Sequence, residues 1–196
     1  MISHGQLFAV VLVTIAAFLA LVSLTGGVVE MAWLREVEFT VTAVGLALAY
    51  FNLRGWRWRW LQGWFVKRPH LWGEWQITLN SDWNDPRTGQ GVEPINATFS
   101  IMQSYTTLHV RMMSSQSDGE LVCASLLKKE DGGFRLVGTY RNEPHIMQRA
   151  TSPIHYGTFL MDIEGSSNAP TAMRGHYWTD RGTRGEMLAA RVGRTE

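Results

Sequence analysis

The sequence predicts a membrane-anchored all-β protein: two N-terminal transmembrane helices, then an eight-stranded antiparallel up-and-down β-barrel. Three observations carry that expectation. Residues 1–53 are long apolar runs holding only Glu30, Arg35, Glu36 and Glu38 as charged side chains. From Leu71 onward, apolar residues alternate with period two in short runs bounded by turn residues. That second part carries no 3.6-residue repeat.

The first helix rests on Leu7–Leu24, 18 residues interrupted only by Thr14 and Ser23. At about 1.5 Å per residue this nearly spans a hydrocarbon core of about 30 Å. Met1–Gln6 contains no Lys or Arg, which disfavours a cleaved signal peptide. The second helix rests on Phe39–Leu53 and reaches back to Trp33 only by including Arg35, Glu36 and Glu38. Those charges are expected at the interface, where long side chains reach the headgroups. The helices are thus expected over about 7–26 and 33–53, joined through Gly26-Gly27.

Orientation follows from the flanks. Arg54, Arg57, Arg59, Lys67 and Arg68 follow the second helix with no acid among them. The positive-inside rule puts this segment, both termini and the barrel in the cytoplasm. Trp56, Trp58, Trp60 and Trp64 alternate with these cations, a composition suited to the headgroup layer. Ala16/Ala20 and Gly45/Ala49 are spaced four apart, which allows close helix approach and self-association. Residues 1–68 are therefore expected to form the anchor with its juxtamembrane segment, and 69–196 the barrel domain.

The strands follow in order: Leu71–Leu79, Ile95–Gln103, Thr107–Met113, Glu120–Lys128, Phe134–Arg141, His155–Ile163, Thr171–Thr179 and Gly185–Val192. Asn84-Asp85-Pro86, Ser117-Asp118-Gly119 and Asp131-Gly132-Gly133 mark turns, and Asn142–Pro153 a longer loop. Closure into a barrel removes exposed sheet edges, and a small barrel can hold a ligand in its mouth. A two-sheet sandwich is the alternative geometry.

From Pro69 to Glu196 there are 12 Lys/Arg and 14 Asp/Glu. This near-neutral balance excludes the basic surface that grips a DNA or RNA polymer. The single cysteine, Cys123, excludes an intramolecular disulfide and is expected as a small buried hydrophobe. No nucleophile elbow, Walker loop or Cys/His zinc pattern is present, so neither an enzyme nor a metal site is expected. A metal site assembled from His109, His155 and His176 is conceivable in a barrel. Asn96-Ala97-Thr98 matches a glycosylation sequon that a cytoplasmic location leaves idle.

Three polar-aromatic clusters stand at strand ends: Gly138–Pro144, His155–Thr158 and Gly175–Thr183. Rings stack on bases, while Arg, Thr and Asn supply hydrogen bonds to phosphates and base edges. Together they point to a ligand site.

These residues also carry a family resemblance. The two N-terminal helices, Pro69-His70-Leu71-Trp72-Gly73-Glu74-Trp75, Thr139-Tyr140-Arg141-Asn142-Glu143-Pro144, His155-x-Gly157-Thr158 and Gly175-x-Tyr177-Trp178-Thr179-x-Arg181-x-Thr183-x-Gly185 resemble one family over nearly the whole chain. It is the two-transmembrane, β-strand-rich effector family of bacterial cyclic-oligonucleotide antiphage signalling (CBASS). The resemblance implies a lipocalin- or avidin-like barrel that binds a cyclic dinucleotide made by a cognate nucleotidyltransferase. It further implies oligomerisation in the inner membrane, membrane disruption and abortive infection, with no cofactor beyond the activating ligand. Carried onto this chain, it implies ligand contacts at Tyr140, Asn142, His155, Thr158, Tyr177, Thr179, Arg181 and Thr183, with Trp75 and Trp178 beside them. Tyr177, Thr179 and Arg181 share one face and His176, Trp178 and Asp180 the other; a register shift of one would exchange them. A membrane-tethered, lipocalin-like small-molecule binder is the alternative function. The base of the nucleotide is left open.

Overall fold

A computed structural model of the chain describes residues 15, 20, 23, 31–84, 88–149, 152–166 and 169–192. The chain divides into two compact units, Met1–Gly55 and Trp56–Glu196.

In the first unit, helix α1 spans Met31–Leu53. It begins two residues before the expected Trp33 and ends at the expected Leu53. Side chains from Val41 to Tyr50 are all exposed, including Val41, Val44, Leu46 and Leu48. Among the described residues no helix is long and apolar enough to cross a membrane. The first expected helix, 7–26, lies outside the described residues apart from Ile15, Ala20 and Ser23, which are helical.

The second unit is a closed eight-stranded antiparallel barrel. Its strands are β1 (Gly73–Ser81), β2 (Ile95–Gln103), β3 (Leu108–Ser114), β4 (Ser117–Lys128), β5 (Phe134–Pro144), β6 (His155–Ser166), β7 (Ala169–Thr179) and β8 (Arg184–Arg191). Each strand pairs with its chain neighbours, and β8 closes on β1 with Ile77 opposite Ala189. All eight expected strands form and the sandwich does not. The predicted alternation becomes the interior: Trp75, Ile77 and Leu79 from β1, Ala97, Phe99 and Ile101 from β2, and Val110 and Met112 from β3 are buried. Each large side chain so enclosed contributes roughly 1.5–3 kcal/mol of transfer free energy.

Two expectations about β4 are corrected. Ser117, Asp118 and Gly119 are not a turn but the start of β4, with Asp118 and Gly119 opposite Met113 and Met112. The reversal lies just before them, where Ser114 Oγ accepts the Gln116 and Ser117 N–H groups at 3.3 and 3.0 Å. Cys123 is exposed, not buried. A register shift between Leu121 and Cys123 makes Val122 an extra residue. Strict alternation from Leu121 would turn Cys123 inward; the bulge turns it out beside Thr139.

One end of the barrel is stoppered. Leu71 is fully buried, and Gln103, only 3% exposed, clamps the segment that carries it. Gln103 Oε1 accepts the Leu71 N–H at 2.7 Å while its Nε2 donates to the Pro69 carbonyl at 2.9 Å. Trp75 Nε1 donates to the Leu71 carbonyl at 2.9 Å. The preceding segment forms a tight loop, with Val66 N–H donating to Leu61 O at 2.8 Å. Trp56, expected at the headgroups, is instead fully buried, its ring edge-on to His70 at 5.6 Å. Trp58, Trp60 and Trp64 are exposed.

Candidate functional site

Moving away from that floor, the inward positions change character. Along β5 they run Leu136, Gly138, Tyr140, Asn142; along β6, from the floor, Met161, Phe159, Gly157, His155; along β7, Met173, Gly175, Tyr177, Thr179. Each strand goes from apolar through small or aromatic to polar. The polar ends meet at the open mouth around a cavity of about 290 Å³, close to the lower size of small-molecule sites.

Gly157 makes room for this arrangement. It sits opposite Tyr140 in the sheet, and a Cβ there would lie 2.4 Å from the Tyr140 ring. The ring covers the glycine and stacks on Phe159, with centroids 6.3 Å apart. Burial raises the pKa of both Tyr140 and Tyr177, so both phenols stay protonated and can donate. Burial lowers the pKa of His155, and its Nδ1 lies 3.0 Å from the Pro153 carbonyl.

The rim is tied together by loops far apart in sequence. Asp180 Oδ2 accepts the Tyr156 N–H at 3.1 Å, and Asp180 N–H donates to Tyr156 O at 2.9 Å. Asp82 accepts from Arg184 N–H and Nε at 2.9 and 3.0 Å. The Arg184 N–H is the first cause holding the Asp82 carboxyl below its ordinary pKa. Arg181 Nη1 donates to Ser152 Oγ at 3.1 Å, and the Thr179 and Thr183 hydroxyls lie 2.6 Å apart. Arg181 is the one formally charged side chain among the described lining residues.

Tyr140, Asn142, His155, Tyr177, Thr179, Arg181 and Thr183 all line this cavity. Three other expected residues do not. Thr158 has the opposite parity to His155, and its hydroxyl lies 3.1 Å from that of Thr139. Trp178 likewise has the opposite parity to Tyr177 and stacks on His176 outside the barrel at 5.9 Å. Trp75 points inward but at floor level, bonded to Leu71. The histidines do not converge: His109 and His176 are exposed while His155 is buried.

Trp83, Ser114, Gln116, Gln148 and Ser152 also line the mouth. Some were detectable. The inward phase Ile77, Leu79, Ser81 reaches Trp83 when continued past β1, and Val110, Met112, Ser114 reaches Gln116 past β3. Gln148 and Ser152 come from the β5–β6 connection, where no strand period applies.

The arrangement defines a class: a small closed-barrel receptor, stoppered at one end, with one aromatic and hydrogen-bonding mouth. Residues 66–191 match the family model described as Cap15, cyclic dinucleotide receptor domain. The chain belongs to this family, and with it to the CBASS effectors. It is similar to CD-NTase-associated protein 15 of Yersinia aleksiciae, 23% identical with 91% of this chain and 88% of the relative covered. It is also similar to CD-NTase-associated protein 15 of Staphylococcus schleiferi, 24% identical with 89% and 88% covered.

Proposed function

We propose that this chain is a non-enzymatic, ligand-gated effector of the bacterial inner membrane. Its barrel mouth binds a cyclic dinucleotide from a cognate nucleotidyltransferase. Binding drives self-association of the membrane helices, and the disturbed bilayer ends the infected cell. The observation that carries the reading is the mouth itself, inside the segment that matches the receptor family. Tyr140, Tyr177 and Trp83 offer rings for bases, and Arg181 with the surrounding hydroxyls offers donors to phosphates.

The membrane half is supported by α1. A helix whose apolar side chains are exposed all round belongs in a larger core or in lipid, and Val41–Tyr50 is of that kind. Its apolar stretch is short, so Arg35, Glu36 and Glu38 are assigned to the interface and the 7–24 run carries most of the anchoring. Exposed Trp60 and Trp64 beside Arg59 and Lys67 suit headgroup contact. Positive-inside placement then keeps the barrel in the cytoplasm.

Titration of the full chain in detergent micelles with a panel of cyclic dinucleotides tests the binding step. A ligand at 100 times its Kd adds about 2.7 kcal/mol of stability, seen as a raised Tm. Arg181→Ala is expected to weaken the successful ligand by about tenfold or more, since a charged hydrogen bond is lost. No Tm rise with any cyclic dinucleotide would remove this reading in favour of a carrier for some other small molecule.

A further inference from the structure

Asn142 and His155 are direct partners across β5 and β6. Both point into the mouth and are 6% and 7% exposed. Side chains on paired positions have Cβ atoms about 5 Å apart, so one small group can touch both.

Both present acceptors. Asn142 Oδ1 is enclosed and has no hydrogen-bond partner, a costly condition that is relieved when the side chain turns the oxygen to a bound donor. The Pro153 carbonyl can only accept, so His155 carries its proton on Nδ1. Burial keeps the ring neutral, leaving Nε2 with a lone pair. Of the nearby groups, the Thr179 and Thr183 hydroxyls bond each other and Arg181 Nη1 bonds Ser152 Oγ.

We infer that Asn142 Oδ1 and His155 Nε2 together read an exocyclic amino group, so that the ligand carries at least one amino-bearing base. The inference rests on the cyclic dinucleotide reading above and narrows it. An –NH₂ offers two protons to two acceptors. A carbonyl at the same place, as in uracil or hypoxanthine, sets a third lone pair against them. Adenine, cytosine and guanine satisfy the pair, and a uracil-only or inosine-only ligand does not.

Matched ligands test this on the full chain. Cyclic di-AMP is compared with cyclic di-IMP, and cyclic di-CMP with cyclic di-UMP; within each pair the exocyclic amine is exchanged for a carbonyl and the adjacent ring nitrogen gains a proton. In whichever pair binds, the amino member is expected to bind about 10- to 100-fold more tightly. Asn142→Asp, which keeps acceptors and loses donors, is expected to preserve that ratio whatever it does to the affinities. Asn142→Leu is expected to shrink the ratio to about threefold or less. Equal binding of the two members, or an undiminished ratio in folded Asn142→Leu, overturns the inference while leaving the receptor reading standing. If Asn142→Leu does not fold, the Asn142→Asp ratio decides, and its collapse overturns the assignment. If only a mixed-base ligand or cyclic di-GMP binds, the same comparison is made by replacing its amino-bearing bases with hypoxanthine or uracil. Failure of every cyclic dinucleotide, mixed-base members included, removes the receptor reading and the inference together.

Discussion

At the residue scale, the mouth depends on parity. His155 and Thr158 are three apart on one strand and so lie on opposite faces, as do the neighbours Tyr177 and Trp178. Period two therefore divides the polar-aromatic clusters into a lining set and an outer set before any distance is measured. His155 adds a pH dependence. Its folded pKa lies below the ordinary value because burial disfavours the charged ring, with the Pro153 contact opposing and Arg181 and Asp180 acting less strongly. Between that depressed value and about 6.5 the unfolded chain binds the extra proton. Its contribution is present above about pH 6.5 and is lost as pH falls through that window. Thermal unfolding from pH 7.5 to 5 is expected to show a declining Tm in the parent protein and a flatter profile in His155→Gln. The depressed Asp82, Asp131 and Asp162 titrate lower still, so they leave this window clear. Identical slopes for the two proteins would rule out His155 as the source.

At the element scale, Gln103 is the side chain that makes two bonds to the buried part of the floor, with Trp75 and Arg191 bonding the floor's other carbonyls. Gln103 satisfies two backbone groups of the Pro69–Leu71 segment. Gln103→Leu leaves both buried and unpaired, a loss of about 2–4 kcal/mol, or a Tm lower by about 5–15 °C. Hydrogen exchange at the Leu71 amide should accelerate with it; an unchanged amide would mean that the floor is held elsewhere. The amide clamp was not legible in the sequence, where Gln103 is only the last residue of an alternating run. The strands themselves were legible, because an interior of Ile77, Phe99, Met112 and Phe159 demands period two and each strand keeps it. Two strands depart from it locally. A bulge at Val122 changes phase within β4, and no residue type there announces it, so the sequence alone puts Cys123 inward; β6 shifts register between Glu164 and Gly165 near its end. The lining from Gln148 and Ser152 was equally hidden, since loop positions meet only when the barrel closes. The floor also explains Trp56: it stands in an alternation of Trp and Arg, yet it is consumed by packing against His70.

At the scale of the whole molecule, the proposed function requires that a ligand in the mouth change how copies associate. It can do so only by favouring the assembled state over the single chain. On that reading α1 supplies a face for the step, since its side chains from Val41 to Tyr50 are exposed. A Cβ added at Gly45 would meet nothing within 4 Å, so a larger residue there fits within one copy. The same residue would separate two helices that approach along Gly45 and Ala49, because close packing in lipid depends on small side chains. Gly45→Ile is therefore expected to leave binding to the single chain intact, since every described lining residue of the mouth lies in the Trp56–Glu196 unit, and to remove only the extra affinity gained on assembly. In bacteria expressing the cognate synthase, it should reduce ligand-dependent cross-linking between copies and relieve loss of membrane potential. Arg181→Ala should relieve the same damage by the other route, through lost ligand affinity. Undiminished cross-linking and damage with Gly45→Ile would move the assembly surface off this helix face, to the barrel walls or the 7–24 segment.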